Sequence, residues 1–211
     1  MKITIFFSSE KHPIFPHLLR WKNKNLDSYE IKLTNNINEI ENGEILFLIA
    51  CSEIVKKDVR DRFSKTVCIH ESNLPEGRGW SPAVYSILNN AKKIWMSIFE
   101  VEDKVDSGDV WKKISFDVEE HELADQINEK ISINTLKLME FAIENFTNIK
   151  PIKQDEKNAT YFEKRNPEDS ELDVNKTIGE QFNLMRICDV NRYPSFFYFK
   201  GHKYKLTIQK F

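Results

Sequence analysis

The run Gly43–Ala50, GEILFLIA, restricts the fold more than any other stretch of this chain, since its last six residues are all apolar. So short and continuous a run, beside turn residues, reads as the strongest buried strand in the sequence. Lys2–Phe7, KITIFF, has the same character, with β-branched and aromatic residues side by side. Tyr29–Leu33 and Lys65–His70 read as further strands. Helical patterns fall between them. HPIFPHLLRWKNK can begin a helix at Pro13 or Pro16. Ser52–Phe63 is expected to be a helix capped by Ser52, with Ile54, Val55, Val59 and Phe63 on one face. Ser81–Ala91 is expected to be a helix with Ser81 as N-cap and Pro82 at its first position. Strands alternating with helices predict an α/β fold built on a twisted, mostly parallel sheet flanked by helices.

The segments 92–101 and 109–118 both read as extended. The longest periodic segment is 119–149. Leu123, Ile127 and Ile131 fit one helical face, while Leu136, Met139, Ile143 and Phe146 fit another, so a bend or break between them is expected. Segment 150–175 is a polar crossing. A short helix follows over 175–189, then a hairpin over 195–211 that turns at Lys200-Gly201-His202. The chain therefore divides into a main domain, 1–150, and a C-terminal extension of helix and β-hairpin, 151–211.

A chain of 211 residues with 40% apolar and 30% charged residues is an ordinary globular protein. Its net charge of -2 argues against a protein-wide footprint for nucleic acid. No apolar run approaches the ~20 residues that cross a bilayer, so no membrane role is expected. The first residues lack a secretory cleavage pattern. Cys51, Cys68 and Cys188 are scattered without metal-ligand spacing, which suits a reducing cytoplasm and predicts no metal site. There is no Gly-x-Gly-x-x-Gly, so the sheet does not argue for a dinucleotide.

The chemistry concentrates in CIHESNLPEGRGWSP, Cys68–Pro82. In open α/β sheets ligands bind beyond the carboxyl ends of the strands, and His70 sits at such an end. Asp106 lies in an Asp-Ser-Gly-Asp turn between the two extended segments. A histidine with a partner carboxylate is suited to proton transfer. Read from the residues alone, a loop histidine and a β-turn aspartate serve equally well.

The combination His-Glu-Ser-Asn-Leu-Pro-Glu-Gly-Arg-Gly-Trp-Ser-Pro, then a helix, then FEVEDKVDSGDVW, resembles the formyltransferases that use 10-formyltetrahydrofolate. The pattern there is Asn-x-His-x-Ser-x-Leu-Pro-x-x-x-Gly followed by Asp-x-Gly, and the likeness is strongest over residues 43–118. The resemblance implies a Rossmann-like sheet. It implies that His70 donates to the formyl oxygen as charge develops, and that Asp106 orients His70 and helps handle the amine proton. It also implies that the strand and loop holding Phe47, Leu48, Ile49, Ala50 and Ile54 contact the folate, largely through backbone. One departure stands out: the family Asn position is Cys68, and a thiol is a weak donor. Either water fills that role and Cys68 is a small packed residue, or the protein binds without efficient transfer.

Arg-x-Pro-Glu-Asp-Ser, Asn-Leu-x-Arg and Tyr-Pro-x-Phe-Phe in the C-terminal part resemble the nucleotide-sugar N-formyltransferases. That implies an amino-dideoxy sugar linked to a nucleotide as acceptor, within surface-glycan or flagellin-type sugar biosynthesis. Arg165, Arg186 and Tyr193 would lie near the nucleotide, with Arg78 and Trp80 also toward the sugar nucleotide. The bland alternatives are a solvated Arg165, an Arg186 favoured by a helix C-terminus, and a Trp80 that covers a helix start. Water as acceptor, giving a formyltetrahydrofolate hydrolase, is the rival enzyme reading; a non-catalytic binding module is the other. Phe197, Tyr198 and Phe199 suggest a homodimer contact, and Lys203 and Lys205 protect an edge strand.

Overall fold

A computed structural model describes residues 1–211. Its centre is a six-stranded sheet of β1 (Lys2–Phe6), β2 (Glu30–Thr34), β3 (Gly43–Ile49), β4 (Phe63–His70), β6 (Lys93–Glu100) and β7 (Val110–Asp117), in the order β2-β1-β3-β4-β6-β7. The first four run parallel; β6 and β7 continue the sheet antiparallel. β5 (Arg78–Gly79) leaves this sheet and pairs with β8 (Tyr161–Phe162).

The apolar run of β3 is buried because both faces of the sheet are covered. Ile45, Phe47 and Ile49 enter the main core with Ile3, Ile5, Val67, Ile69 and Ile98. That face is closed by α1 (Phe15–Asn25), α3 (Pro82–Leu88) and α4 (Ala124–Glu144), through Leu18 and Trp21, Ile87, and Leu138 and Met139. Leu46 and Leu48 point the other way, into a smaller core with Phe6, Ile40, Val55 and Val59. Each such fully buried large side chain contributes roughly 1.5–3 kcal/mol relative to exposure.

Three expected elements differ. The helix expected over 52–63 is only α2 (Lys57–Arg60). Val55 and Val59 do bury, but Ile54 is exposed. Ser52 caps nothing; its backbone N–H and hydroxyl bond Ser8 Oγ at 2.7 and 3.0 Å, tying the loop after β3 to the loop after β1. Ser81 makes no capping bond either, its backbone being left-handed at φ 49°, and Pro82 alone opens α3. The expected break in 119–149 is absent. α4 is one 21-residue helix whose buried stripe continues through Ser132, Asn134 and Thr135. Ser132 Oγ and Asn134 Nδ2 donate to the carbonyls of Asn128 and Lys130 at 2.8 Å, so these polar groups bury without penalty and interrupt only the apolar pattern.

The C-terminal extension is packed into the main domain rather than set apart. Ile152 bridges Val110 on β7, and β8 joins β5. α5 (Ile178–Ile187) starts at a Thr177/Glu180 capping box. The hairpin of β9 (Ser195–Phe199) and β10 (His202–Leu206) turns on Lys200 and Gly201, with φ 48° and 80°.

Candidate active site

β4 carries two of the expected site residues, Cys68 and His70. Successive residues of a strand alternate faces, so Val67 and Ile69 anchor the main core while Cys68 and His70 share the opposite face. His70 is the last residue of β4 and is 8% exposed. Its Nε2 lies 2.9 Å from the Gly77 carbonyl. A carbonyl only accepts, so Nε2 carries the proton and donates it there. Nδ1 makes no bond within the chain and is the ring nitrogen left for chemistry. In the neutral ring it accepts a proton; in the imidazolium it donates one.

Asp106 comes from the loop between β6 and β7 and has a left-handed backbone, φ 52°. Its Oδ2 lies 3.6 Å from His70 Nε2 and accepts from the Gly79 N–H at 2.8 Å. Both side chains are largely buried, so the carboxylate acts on the ring through a weakly screened field rather than a direct hydrogen bond. Gly108 completes the Asp-x-Gly turn for a steric reason: a Cβ there would sit 1.8 Å from the Glu100 carbonyl oxygen.

The loop between His70 and α3 is fixed from two sides. Lys113 on β7 donates to Asn73 Oδ1 at 3.0 Å and to the Leu74 carbonyl. Desolvation holds the Lys113 amine below its ordinary pKa. On the other side the segment 154–162 lies along the loop. Gly77 N–H donates to Thr160 Oγ1 at 2.8 Å, Arg78 N–H to the Thr160 carbonyl at 2.9 Å and Trp80 N–H to the Phe162 carbonyl at 3.1 Å. Gly79, φ 91°, permits this approach, since a Cβ would meet Phe162 O at 2.5 Å.

Cys68 packs between the smaller core and the Leu74–Phe99–Val110 cluster. Burial, and then the nearby Asp106 carboxylate, push its thiol well above the ordinary range, so it stays protonated. Its one contact as donor is a 3.8 Å approach to the Ile69 carbonyl. Two polar groups beside His70 were not among the expected site residues, although Ser72 fills the Ser of the His-x-Ser-x-Leu-Pro pattern. Burial raises the Glu71 carboxyl, with His70 opposing, and Ser72 Oγ is buried without a partner.

The remaining expected site residues are scattered. Of the folate set, Leu48 shares the His70 face, but Phe47 and Ile49 have their side chains in the main core on the opposite face, which leaves them only backbone to offer. Ala50 turns the chain at φ 47°, and Ile54 is 73% exposed. Arg78 is corrected from a ligand-facing to an internal residue. It is 0% exposed, and its guanidinium donates to Gln154, Glu156 and Tyr161. Arg186 is corrected likewise: 2% exposed, it donates to Asn183 Oδ1 and to the carbonyls of Glu119 and Glu122. Trp80 is partly exposed with Lys164 Nζ 4.6 Å over its ring. Arg165 donates to the Asp169 carbonyl at 2.6 Å, and Tyr193 is exposed. Neither adjoins His70 in sequence or pairing.

A doubly covered, mostly parallel α/β sheet with a histidine and an aspartate converging beyond one strand end is a Rossmann-like fold with a candidate site where such sheets bind ligands. The chain belongs to the formyl transferase family, whose model matches residues 3–143. That family takes its one-carbon unit from 10-formyltetrahydrofolate. A methionyl-tRNA formyltransferase of Bacillus subtilis (strain 168) is 32% identical over 82% of this chain and 56% of its own length. The chain thus spans about half the length of the curated relatives it matches. Among solved structures, a methionyl-tRNA formyltransferase from Clostridium thermocellum superposes with a TM-score of 0.83 at 22% identity, covering 100% of this chain and 93% of that one. A 4-N formyltransferase from Francisella tularensis gives 0.71 at 20%, covering 99% and 97%. HypX from Aquifex aeolicus in complex with tetrahydrofolic acid gives 0.77 at 16%, covering 99% and 37%. At these identities the likeness is one of fold. No helix is long and apolar enough to cross a membrane.

Proposed function

We propose that this protein moves a formyl group from 10-formyltetrahydrofolate to the amine of a nucleotide-linked amino-dideoxy sugar. The observation that carries the transfer reading is His70, at the end of β4, with its Nε2 proton held by Gly77 and its Nδ1 without a partner in the chain. The donor supplies an activated formyl group. With donor bound, His70 would offer Nδ1, a donor when the ring is charged and an acceptor when it is neutral, so the proton lost by the attacking amine can end on the nitrogen of the leaving tetrahydrofolate. Asp106 stabilises the charged ring from 3.6 Å. The residues fit such a donor, because Nδ1 and the buried Ser72 Oγ are polar groups left without partners at one strand end.

The sugar acceptor is supported by the Arg-x-Pro-Glu-Asp-Ser and Tyr-Pro-x-Phe-Phe elements. It is supported too by a groove of about 390 Å³ lined by Pro167, Arg192, Tyr193, Pro194, Phe196, Lys203 and Lys205. That lining holds three cations, two aromatic rings and no acid, a composition suited to a phosphorylated nucleoside. In this reading the protein works in the cytoplasm.

Methionyl-tRNA is the second reading, favoured by the curated relatives. One assay separates the acceptors: release of tetrahydrofolate by the purified chain, with amino-sugar nucleotides, with methionyl-tRNA and with neither. Turnover that requires an amino-sugar nucleotide supports the proposal. Turnover only with methionyl-tRNA, or equal turnover with no amine, rejects the sugar acceptor.

A further inference from the structure

Gln154 lies beyond the residues matched by the family model, on the segment that follows α4. It is 6% exposed, and all its amide groups are engaged. Its Nε2 donates to two carbonyls of the catalytic turn, Asp106 O at 2.9 Å and Gly108 O at 2.7 Å. Its Oε1 accepts from Arg78 Nη2 at 2.8 Å and Nε at 3.2 Å. Arg78 stands between Gly77, whose carbonyl accepts from His70, and Gly79, whose N–H donates to Asp106. One amide therefore joins the loop that holds the histidine to the turn that holds the aspartate.

Asp106 needs such a restraint. Its left-handed φ of 52° is unfavourable for a residue with a Cβ and persists only where surroundings fix it. The donating half of Gln154 fixes the turn's carbonyls, and the accepting half references them to Arg78. The far end of Arg78 is closed by Glu156, which Lys104, two residues before Asp106, also pairs. Two apolar side chains in place of Gln154 and Arg78 would fill the space, but only a donor–acceptor amide can satisfy carbonyls on one side and a guanidinium on the other.

We infer that Gln154 is a positioning residue for the His70–Asp106 pair, acting through the Asp106 turn; the inference rests on the formyl-transfer reading of that pair. Gln154→Glu keeps size and the acceptor toward Arg78 but turns acceptors onto two carbonyls. Gln154→Met keeps size and removes both functions. Displacement of reacting groups by about 1 Å costs on the order of 100-fold, so each variant is expected to lose roughly 10- to 100-fold in turnover with donor KM little changed.

The test is a double-mutant cycle with Asp106→Asn, together with the ring resonances of His70 in protein labelled with 15N-histidine. If Gln154 acts through Asp106, either Gln154 substitution adds nothing in the Asp106→Asn background. The His70 ring resonances should also move in Gln154→Glu in the direction they move in Asp106→Asn. Losses that multiply, or His70 resonances that stay fixed in both folded Gln154 variants, overturn the inference. Should the wild-type chain transfer formyl to no acceptor, the function reading fails, and the resonances alone decide the positioning role.

Discussion

Asp106 Oδ2 lies 3.6 Å from His70 Nε2 while accepting a 2.8 Å hydrogen bond from the Gly79 N–H, so the pair is linked by charge and not by a shared proton. The Nε2 N–H donates to the Gly77 carbonyl. Ring orientation therefore comes from the loop, and Asp106 contributes its field. His70→Ala should lose about 10³-fold or more in turnover in a protein of unchanged fold. Asp106→Asn, which preserves the bond from Gly79, should lose about 100-fold with donor affinity unaffected. Stopped-assay turnover with circular dichroism checks both; a folded His70→Ala protein of normal rate removes His70 from the mechanism.

Cys68 is expected to be a packing residue. Its thiol is held protonated by burial and makes no strong hydrogen bond. Cys68→Ala should retain activity within about tenfold, because no strong contact is lost. Alkylation of Cys68 at neutral pH should be slow. A collapse of turnover in folded Cys68→Ala protein with intact folate binding would make the thiol a participant.

Arg186 and Arg165 should separate by experiment. Arg186→Ala leaves the carbonyls of Glu119 and Glu122 without their buried charged donor, and should cost about 2–4 kcal/mol of stability. Affinity for an amino-sugar nucleotide should not change in the protein that remains folded. Arg165→Ala should instead leave the thermal midpoint nearly unchanged and weaken the sugar nucleotide selectively. Equal losses of folate and sugar nucleotide in Arg165→Ala would place the acceptor elsewhere.

Two groups predict a decline of stability in acid. Glu156 is lowered from 4.5 to about 2, first by its hydrogen bond to Arg78 and then by Lys104. A folded pKa below the unfolded one means its contribution is complete above 4.5 and is lost as pH falls toward 2. His12 is lowered from 6.5 to about 4, chiefly by burial and then by Arg192. The unfolded chain binds that proton first, so stability falls as pH drops from 6.5 to 4. Denaturation midpoints between pH 7 and 3 should flatten in the upper window for His12→Asn and in the lower window for Glu156→Gln. Unaltered slopes in both variants would show that neither group drives the decline.

The apolar runs of β1, β3 and β4 announced the sheet, because burial on both faces leaves no polar alternation to misread. The strand end with Leu-Pro, and the Asp-x-Gly turn, offered His70 and Asp106 as candidates through a family resemblance, and the structure brings the two within 3.6 Å. Such sequence signals are local: each depends on residues a few positions apart. The unbroken α4 was not legible, since Asn134 and Thr135 look like an interruption until their burial in one stripe is seen. Nor was the fate of the arginines. Arg78 and Arg186 resemble anion binders in one dimension, and only the packing of 154–161 and 119–122 around them makes them internal struts. Gln154 gave no signal at all, because its partners stand 46 to 76 positions away. Sequence marked the strands and the loops in which His70 and Asp106 fall; tertiary structure decided how they are held, since hydrogen-bond partners remote in the chain are chosen by packing and not by spacing.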